Sequence, residues 1–348
     1  MNRTFAESVN EALSLAMDID QKVVAYGLGI SDPKAIFGTT LGLEEKYGKD
    51  RVFDMPVSEN ALTGVAVGMA IGGYKSILTH QRLDFSIVSM DQIVNSAAKW
   101  FYMFGGRTPI PIVIRMIIGR GWGQGPTHAQ ALHSWFAHIP GLKVVMPSNA
   151  YDAKGLLLES IFDPNPVIFL EHRWLHNSIG IVPNGDYRVP IDKSKIVSKG
   201  SDITIVSLSI MTPVAMTVNK ILAEKNISLE VIDLISIRPI DWDTIFSSVK
   251  KTGKLMVLDI SHPRASVASD IIANTSSRLF KFLKEAPVSI CLPDHCIPTS
   301  YSLTEDFYPS VSKVMEEVLK LAKIQTSNVI FNETNKHDIP GDWFNGPF

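Results

Sequence analysis

The hydrophobic pattern of the first half of the chain alternates between helical spacing and short apolar runs. Thr4 and Glu7 form a capping-box pattern, and the apolar residues that follow recur at helical spacing up to Ala16. Several later runs are short and almost wholly apolar, which is typical of strands covered on both faces of a parallel sheet. These runs are 22–26, 111–118, 142–146 and 166–170. The pattern predicts an α/β domain with helices between its strands.

A second α/β unit follows a segment rich in Gly, Pro, Asn, Asp and Lys. We therefore place a first domain at residues 1–185, a linker at 186–200 and a second domain at 201–324. Right-handed crossovers predict one mostly parallel sheet in the second domain as well. The predicted strands and helices of that domain are 202–208, 212–224, 229–234, 241–250 and 254–258. The fold class is thus α/β, with two doubly wound, mostly parallel-sheet domains.

The tail at residues 325–348 differs in composition from both domains. Asn, Asp, Gly and Pro dominate it, yet Trp343, Phe344 and Phe348 are strongly apolar. We expect these apolar side chains to dock the tail on a neighbouring surface.

Composition and charge exclude several classes of protein. The 348 residues carry a formal net charge of −2, with no basic stripe of the kind that binds nucleic acid or a membrane surface. No apolar run approaches the ~18 residues of a membrane span, and the polar N-terminal segment lacks the apolar stretch of a secretory signal. We therefore expect a cytoplasmic protein that acts on a small molecule.

The segment 55–73 is the most informative stretch for chemistry. Glu59 is the one acid in an otherwise uncharged run of small residues, which reads as a helix that starts after Pro56 and Ser58. Two interpretations stay open: a carboxyl favoured there by the helix dipole, or a buried carboxyl that exchanges a proton with a ligand nitrogen. The small residues predict close packing of the helix against another backbone, because glycine otherwise costs helix stability.

Residues 119–128 form a glycine-rich loop that ends in His128. The loop follows the apolar run 111–118 and precedes a predicted helix, so it lies where open α/β sheets bind ligands. Its glycines permit close approach of the backbone to a ligand, and Thr127 can cap the next helix. A flexible glycine loop with a capped helix start is the alternative interpretation.

Several segments, in sequence order, resemble one family. Met55–Gly73 is similar to the segment that holds the cofactor-activating glutamate in β subunits of thiamine-diphosphate-dependent 2-oxo acid dehydrogenases, the E1 components. The resemblance runs from about residue 3 to about residue 322, and its second half resembles the transketolase C-terminal domain. It implies a transketolase-like fold for both domains. Further similar segments are 91–99, 102–106, 138–145 and 152–156.

The resemblance implies thiamine diphosphate as cofactor and assigns roles to four residues. Glu59 would hydrogen-bond a pyrimidine ring nitrogen, and His128 would orient the substrate and share in proton transfer, so these two are the predicted catalytic residues. Phe85 matches the aromatic residue on which the pyrimidine ring stacks, and Val57 is assigned to the same cofactor-binding site. Without the resemblance, an aromatic residue at this position is more often part of the core.

The diphosphate and Mg²⁺ side of such a site has no counterpart in this sequence. The family holds these groups with a Gly-Asp-Gly motif, which does not occur in the chain. The resemblance therefore implies an α subunit that carries the motif and holds most of the Mg²⁺ contacts, in an α2β2 heterotetramer with shared active sites. We expect no metal ligand in this chain. In E1 enzymes the acyl group passes to a lipoyl group on a further partner, the E2 protein.

Departures from the family pattern leave the substrate open. Thr79–Asp84 replaces a segment that is typically aromatic and neutral, and Leu28 stands where many relatives carry an acid. The main prediction is a dehydrogenase that decarboxylates a 2-oxo acid oxidatively and is active only with its α subunit. One alternative is half of a split transketolase-like enzyme that transfers a ketol or acyl unit to a sugar or other acceptor, because 125–128 also matches transketolase. The other is a non-catalytic scaffold subunit.

Overall fold

A computed structural model describes residues 1–120 and 123–324, together with His337, Ile339 and Phe344. Helices and strands alternate through most of this part of the chain. The strands are β1 (Asn2–Thr4), β2 (Val23–Gly27), β3 (Val52–Asp54), β4 (Lys75–His80), β5 (Ile112–Ile118), β6 (Lys143–Val145), β7 (Val167–His172), β8 (Ile179–Ile181), β9 (Lys195–Ser198), β10 (Ile203–Ser207), β11 (Leu229–Asp233), β12 (Ser236–Arg238), β13 (Leu255–Leu258) and β14 (Val288–Ile290).

The α-helices lie mostly between consecutive strands, as an α/β fold requires. They are α1 (Phe5–Ile19), α2 (Leu43–Tyr47), α3 (Glu59–Ile71), α4 (Leu83–Ser86), α5 (Ala98–Met103), α6 (His133–His138), α7 (Ala150–Phe162), α8 (Met211–Ala223), α9 (Trp242–Thr252), α10 (Val267–Leu279), α11 (Tyr301–Thr304) and α12 (Val311–Ala322). No helix in 1–120 or 123–324 is both long and apolar enough to cross a membrane.

The first sheet has seven strands in the order β12-β6-β7-β5-β4-β2-β3. All neighbouring pairs are parallel except β12 with β6. Every residue of β2, β5 and β7 is buried, because helices cover both faces of the sheet. The apolar runs thus predicted the strands correctly, to within about two residues at each end.

Helix α1 begins as the sequence predicts. The Thr4 hydroxyl accepts a hydrogen bond from the Glu7 amide at 3.1 Å, and the Glu7 carboxylate accepts one from the Thr4 amide at 2.8 Å. This capping box satisfies two amides that the helix itself leaves unpaired. The helix then packs its apolar face against α7 and the sheet.

The second sheet has five strands in the order β14-β13-β10-β11-β9. Its strand pairs are parallel except β11 with β9, so the predicted mostly parallel sheet is confirmed. Helix α9 is capped at both ends: the Asp241 carboxylate accepts a hydrogen bond from the Thr244 amide at 3.2 Å, and Gly253 ends the helix at φ +76°.

One strand of the second half lies in the first sheet. Strand β12 pairs antiparallel with β6, and the Met146 amide donates to the Ile235 carbonyl at 2.7 Å. Next to it, Ser148 donates a hydrogen bond to the buried carboxyl of Asp233. Burial raises the pKa of Asp233 to about 7. The domain limits at 185 and 200 stay predictions, but the two halves share this sheet edge.

The described part of the tail packs on its own chain. The Phe344 ring lies 5.2 Å from the Trp174 ring, and His337 Nε2 lies 2.9 Å from the Thr304 hydroxyl. The neighbouring surface predicted for the tail is therefore, at Phe344, part of the same polypeptide. Trp343 and Phe348 lie outside the described residues.

Candidate active site

Glu59 is the first residue of α3, as predicted. Ser58 precedes it with a non-helical backbone, and no side chain caps the helix, so its first amides stay open toward an acceptor. The Glu59 side chain is half-buried rather than fully buried. Its carboxylate makes no hydrogen bond or ion pair within the described part of the chain. Beside it, the side chain of Val57 is 74% exposed. Full burial of this carboxyl, one of the two predicted alternatives, therefore needs a surface that the described part of the chain does not supply.

Phe85 and His128 come together although they lie far apart in the sequence. Phe85 lies in α4, at the end of β4, and His128 follows the loop at the end of β5. Because β4 and β5 are parallel neighbours, both side chains leave the same end of the sheet. The ring centroids are 5.3 Å apart, and the planes meet at 85°. Helix α3 packs against α4, which brings the Glu59 helix next to this ring pair.

The Thr127 hydroxyl contacts His128 instead of capping a helix. Thr127 Oγ1 lies 2.9 Å from His128 Nδ1, and the prediction that it caps the next helix is wrong. Thr127 belongs to a short 3-10 turn, and α6 begins only at His133, after Leu132. The Thr127 contact leaves Nε2 as the ring nitrogen of His128 open to a ligand.

Residues of the second half support the loop that carries His128. Ala129 packs in a small apolar cluster with Leu292, Ile297 and Phe307. A Cβ on Gly125 would lie 2.3 Å from the Thr299 hydroxyl, so glycine is required where the two segments meet. We predicted no role for the second half at the site. Contacts between such distant segments leave no local signal in a sequence.

A buried hydrogen bond fixes the helix after this loop. His133 Nε2 lies 2.9 Å from the Asp259 carboxylate, and both side chains are fully buried. Burial alone would raise the pKa of Asp259, but His133 and the Ser261 and Ala268 amides outweigh it and lower the pKa. The pair joins α6 to the end of β13.

Arg82 and Asp84 are the charged residues closest in sequence to Phe85. Arg82 is 4% exposed, and its Nη1 donates to the Gly119 carbonyl at 3.1 Å, while Nη2 is buried without a partner. Burial lowers the pKa of Arg82 to about 10, although Asp84 and Tyr308 act in the opposite direction. Sequence analysis noted both residues only as departures from the family pattern.

Only one of the two oxygens of the Asp84 carboxylate has a hydrogen-bond partner in the described part of the chain. Its Oδ1 accepts a hydrogen bond from Gln130 Nε2 at 2.7 Å, and its Oδ2 is buried without a partner. Gln130 comes from the loop that carries His128, two residues further on. Asp84 therefore links the two segments that bring Phe85 and His128 together, and it keeps one acceptor oxygen unused.

In a second buried cluster, the charged groups of Arg115 and Glu171 are fully paired, and His176 Nδ1 is left without a partner among the described residues. Arg115 donates to both carboxylate oxygens of Glu171, at 2.6 and 3.0 Å, and His176 Nε2 lies 3.1 Å from the same carboxylate. Burial raises the pKa of Glu171, but Arg115 and His176 more than offset it and hold the pKa at about 2. All three side chains are fully buried.

Two further histidines near this end of the first sheet are buried. His172 accepts a hydrogen bond from the Trp174 amide at 3.2 Å and lies so close to Gly119 that a Cβ there would be 2.2 Å from its Nε2. Burial first, and then the charges of Arg120 and Arg82, hold the pKa of His172 well below its usual value. Burial lowers the pKa of His80 to about 4, and its Nε2 has no partner. Both stay neutral at pH 7.

The structure shows no grouped metal ligands in 1–120 and 123–324: no three His, Cys, Asp or Glu side chains there are arranged to hold an ion. His172 ends β7, His176 follows the next 3-10 turn, and both are core residues.

Comparison with known proteins identifies the class. The transketolase pyrimidine-binding domain matches residues 2–177, and the transketolase C-terminal domain matches residues 192–314. The structure is similar to a split gene transketolase described as an inactive beta4 tetramer, with a TM-score of 0.74 at 21% identity over 92% of this chain and 98% of that one. That likeness confirms the transketolase-like α/β fold.

Curated relatives narrow the class further. The chain is 39% identical over 326 residues to the acetoin:2,6-dichlorophenolindophenol oxidoreductase subunit beta of Cupriavidus necator, covering 91% of this chain and 96% of the relative. It is 40% identical over 322 residues to the pyruvate dehydrogenase E1 component subunit beta of Acholeplasma laidlawii, covering 92% and 98%. The chain therefore belongs to the family of E1 β subunits of thiamine-diphosphate-dependent dehydrogenases, and the predicted resemblance is confirmed.

Proposed function

We propose that the chain forms the pyrimidine half of a thiamine diphosphate site in a heteromeric 2-oxo acid dehydrogenase. The observation that carries the proposal is the meeting of Phe85 and His128, with ring centroids 5.3 Å apart, beside the helix that begins with Glu59. A retained aromatic face, a carboxyl and an imidazole at one end of a parallel sheet suit a flat, nitrogen-rich ring and proton transfer.

The residues present fit the pyrimidine end of this cofactor. Phe85 offers a half-buried aromatic face for stacking, and Val57 adds an exposed apolar side chain. Glu59 has a carboxylate without a partner in the described chain, free to hydrogen-bond a ring nitrogen. His128 Nε2 is placed to orient the substrate and to give or take a proton. When bound, thiamine diphosphate supplies an electron sink for a carbon next to a carbonyl.

An α subunit is the proposed second half of the site. Helix α3 exposes Val65 and Gly68, and a Cβ on Gly68 would have no atom within 4 Å. Val57 and Val88, next to the same helix, are also exposed. The outer side of α3 thus leaves these small residues exposed, without the close packing that was predicted for them. A partner that covers this side and also the N-terminal end of α3 would bury Glu59, and we propose that it carries the Gly-Asp-Gly motif and most of the Mg²⁺ contacts in an α2β2 assembly.

Further parts of the assignment rest on the family alone. Oxidative decarboxylation of a 2-oxo acid with acyl transfer to a lipoyl-bearing E2 protein is the proposed reaction. Ketol or acyl transfer by a split transketolase-like enzyme would use the same half-site, and a substrate screen with artificial electron acceptors and with sugar acceptors separates the two. A purely structural subunit would not need Glu59, Phe85 and His128 together. A cytoplasmic location stays a prediction from the sequence.

Substitution of Glu59 tests the proposal. Glu59→Gln in a complex with the α subunit should preserve assembly but abolish exchange of the thiazolium C2 proton with solvent, measured by NMR. Glu45→Gln is the matched control, because Glu45 is also an acid in the first turn of a helix but lies in α2 and is exposed. Near-normal exchange in Glu59→Gln would overturn the assignment.

A further inference from the structure

We propose that Arg82 and Asp84 select the substrate, and that the substrate carries an anionic group, a carboxylate or a phosphate, beyond its reacting carbonyl. Arg82 Nη2 would donate to this group, and Asp84 Oδ2 would accept a hydrogen bond from a hydroxyl nearby. The inference rests on the proposed function, since it places both contacts beside the Phe85 half-site. It deepens that function by naming the substrate class: a hydroxylated, acidic or phosphorylated carbonyl compound.

The two unused atoms are the first observation. Arg82 Nη2 and Asp84 Oδ2 are both buried, and neither has a hydrogen-bond partner among the described residues. A buried donor or acceptor left unpaired costs ~1–3 kcal/mol, and more when it is charged. Natural proteins keep few such groups, and a ligand site is one of the accepted reasons for keeping them. Here one donor and one acceptor occur two residues apart.

The position of the pair is the second observation. Arg82 occupies the N-cap position of α4, and Asp84 directly precedes Phe85 in the same short helix. Gln130 holds Asp84 from the His128 side at 2.7 Å. A molecule that reaches both unused atoms therefore lies next to the ring pair that defines the half-site. This is the region where a substrate, rather than a distant effector, would be bound.

The local charge is the third observation. Burial and the nearby positive charge of Arg82 together lower the pKa of Arg173 to about 10. The charges of Arg120 and Arg82 likewise act on His172. The carboxylate of Glu171 is already held by Arg115 and His176. Arg82, Arg120 and Arg173 therefore bring positive charge to this region and Asp84 brings negative charge, so an anion is favoured on the Arg82 side of the pair.

The side chains of Arg82 and Asp84 differ in chemistry and would therefore bind different groups of the substrate. A guanidinium group recognises a carboxylate or phosphate with directed N–H donors, and it keeps its charge when it is buried. An ionised carboxylate such as Asp84 accepts hydrogen bonds only and would repel an anion. The anionic group therefore belongs at Arg82, and a hydroxyl belongs at Asp84. A small 2-oxo acid with a plain alkyl chain offers Arg82 only the carboxylate next to its reacting carbonyl and offers Asp84 no hydroxyl, so Asp84 Oδ2 would stay unpaired, which disfavours this substrate.

The test compares substrates of matched length in the complete complex with the α subunit. One set of hydroxylated 2-oxo acids ends in a carboxylate, a second in a phosphate and a third in an uncharged amide. We expect kcat/KM of the wild type to favour one of the two anionic sets. Arg82→Met should lower it for that set by roughly 10- to 100-fold, mainly through KM, and lower it much less for the amide set. Arg82→Lys should restore part of the loss. Arg188→Met is the control, because Arg188 forms an exposed pair with Asp186.

A binding measurement makes the test independent of turnover. Malonate and inorganic phosphate should raise the melting temperature of the wild-type complex, and this increase should disappear in Arg82→Met but not in Arg188→Met. Equal kcat/KM for charged and uncharged substrates, or the same anion effect with and without Arg82, would overturn the inference. If Arg82→Met does not fold, the substrate preference of the wild type and the kcat/KM values of Arg82→Lys still test the inference. Failure of C2 proton exchange in the wild type would instead reject the proposed function.

Discussion

Two buried arginines lie at the same end of the first sheet and differ in how they are paired. Arg115 on β5 is fully buried and donates to both oxygens of Glu171, with Thr79 at 3.3 Å as a third partner. Arg82, after β4, is almost as buried but has one hydrogen bond to protein and one unpartnered nitrogen. The two side chains are similarly buried, but only Arg115 has a hydrogen-bond partner for each of its side-chain nitrogens.

The difference distinguishes a charged group with a structural role from a charged group that still has a hydrogen-bonding atom for a ligand. An ion pair such as Arg115 and Glu171, in which every guanidinium nitrogen and both carboxylate oxygens have a partner, gains nothing from a further group and fixes the strands that it joins. An open pair such as Arg82 and Asp84 carries an unsatisfied cost that a ligand can remove. Completeness of pairing, more than burial or residue type, therefore identifies the functional charges in this protein.

The largest effect should come from opening the closed cluster. Glu171→Ala leaves Arg115 buried with no counter-charge, and we expect the free energy of unfolding to fall by about 3–5 kcal/mol. Urea denaturation followed by circular dichroism measures this loss. Asp186→Ala removes the exposed partner of Arg188 and should cost less than about 1 kcal/mol. Similar losses in the two variants would contradict a structural role for Glu171.

A second test uses a buried histidine next to the open pair. His80 has a folded pKa of about 4, below its ordinary 6.5, so the unfolded chain binds the proton more readily between these values. Stability should therefore fall as the pH drops from 6.5 towards 4, by roughly 3 kcal/mol from this residue. His80→Phe should remove that part of the pH dependence. Unfolding free energies measured at pH 7.5 and 4.5 in both proteins check this, and equal slopes would refute it.

The smallest effect should be confined to ligand binding. Phe85 is half-buried at the open site, so Phe85→Ala should weaken cofactor binding to the complex by ~1 kcal/mol through loss of the stacking face. Calorimetric titration with thiamine diphosphate and Mg²⁺ gives the Kd. Phe280→Ala, an exposed aromatic residue of the second half, should leave the Kd unchanged. An unaltered Kd for Phe85→Ala would remove Phe85 from the site.

The elements of the fold were predictable because their signals are local. Strands β5 and β7 are continuous apolar runs, and the Thr4–Glu7 capping box fixes the start of α1. The start of α3 at Glu59 was likewise readable from Pro56 and Ser58. Such patterns depend on neighbours within a few residues, so the sequence carries them completely.

The parts of the site that depend on long-range contacts were not predictable. Thr127 looks like a helix cap, but the helix starts later, after residues that continue in a non-helical turn. Arg82 is unusual for the family, yet only the structure shows that its Nη2 is left unpaired. The support of the His128 loop by Leu292 and Phe307 joins segments with no shared pattern. A single sequence holds no record of which distant segments meet.

Strand β12 belongs to the second half of the chain but pairs in the first sheet, and this pairing limits where the protein can be divided. Residues 1–185 produced as a separate polypeptide would carry β6 as a bare outer strand, because its neighbour at Ser236–Arg238 is encoded beyond the linker. An uncovered edge whose Val144 and Val145 side chains belong in the interior is a template for intermolecular pairing. We therefore expect that the chain cannot be cut at its own linker into two separately stable polypeptides.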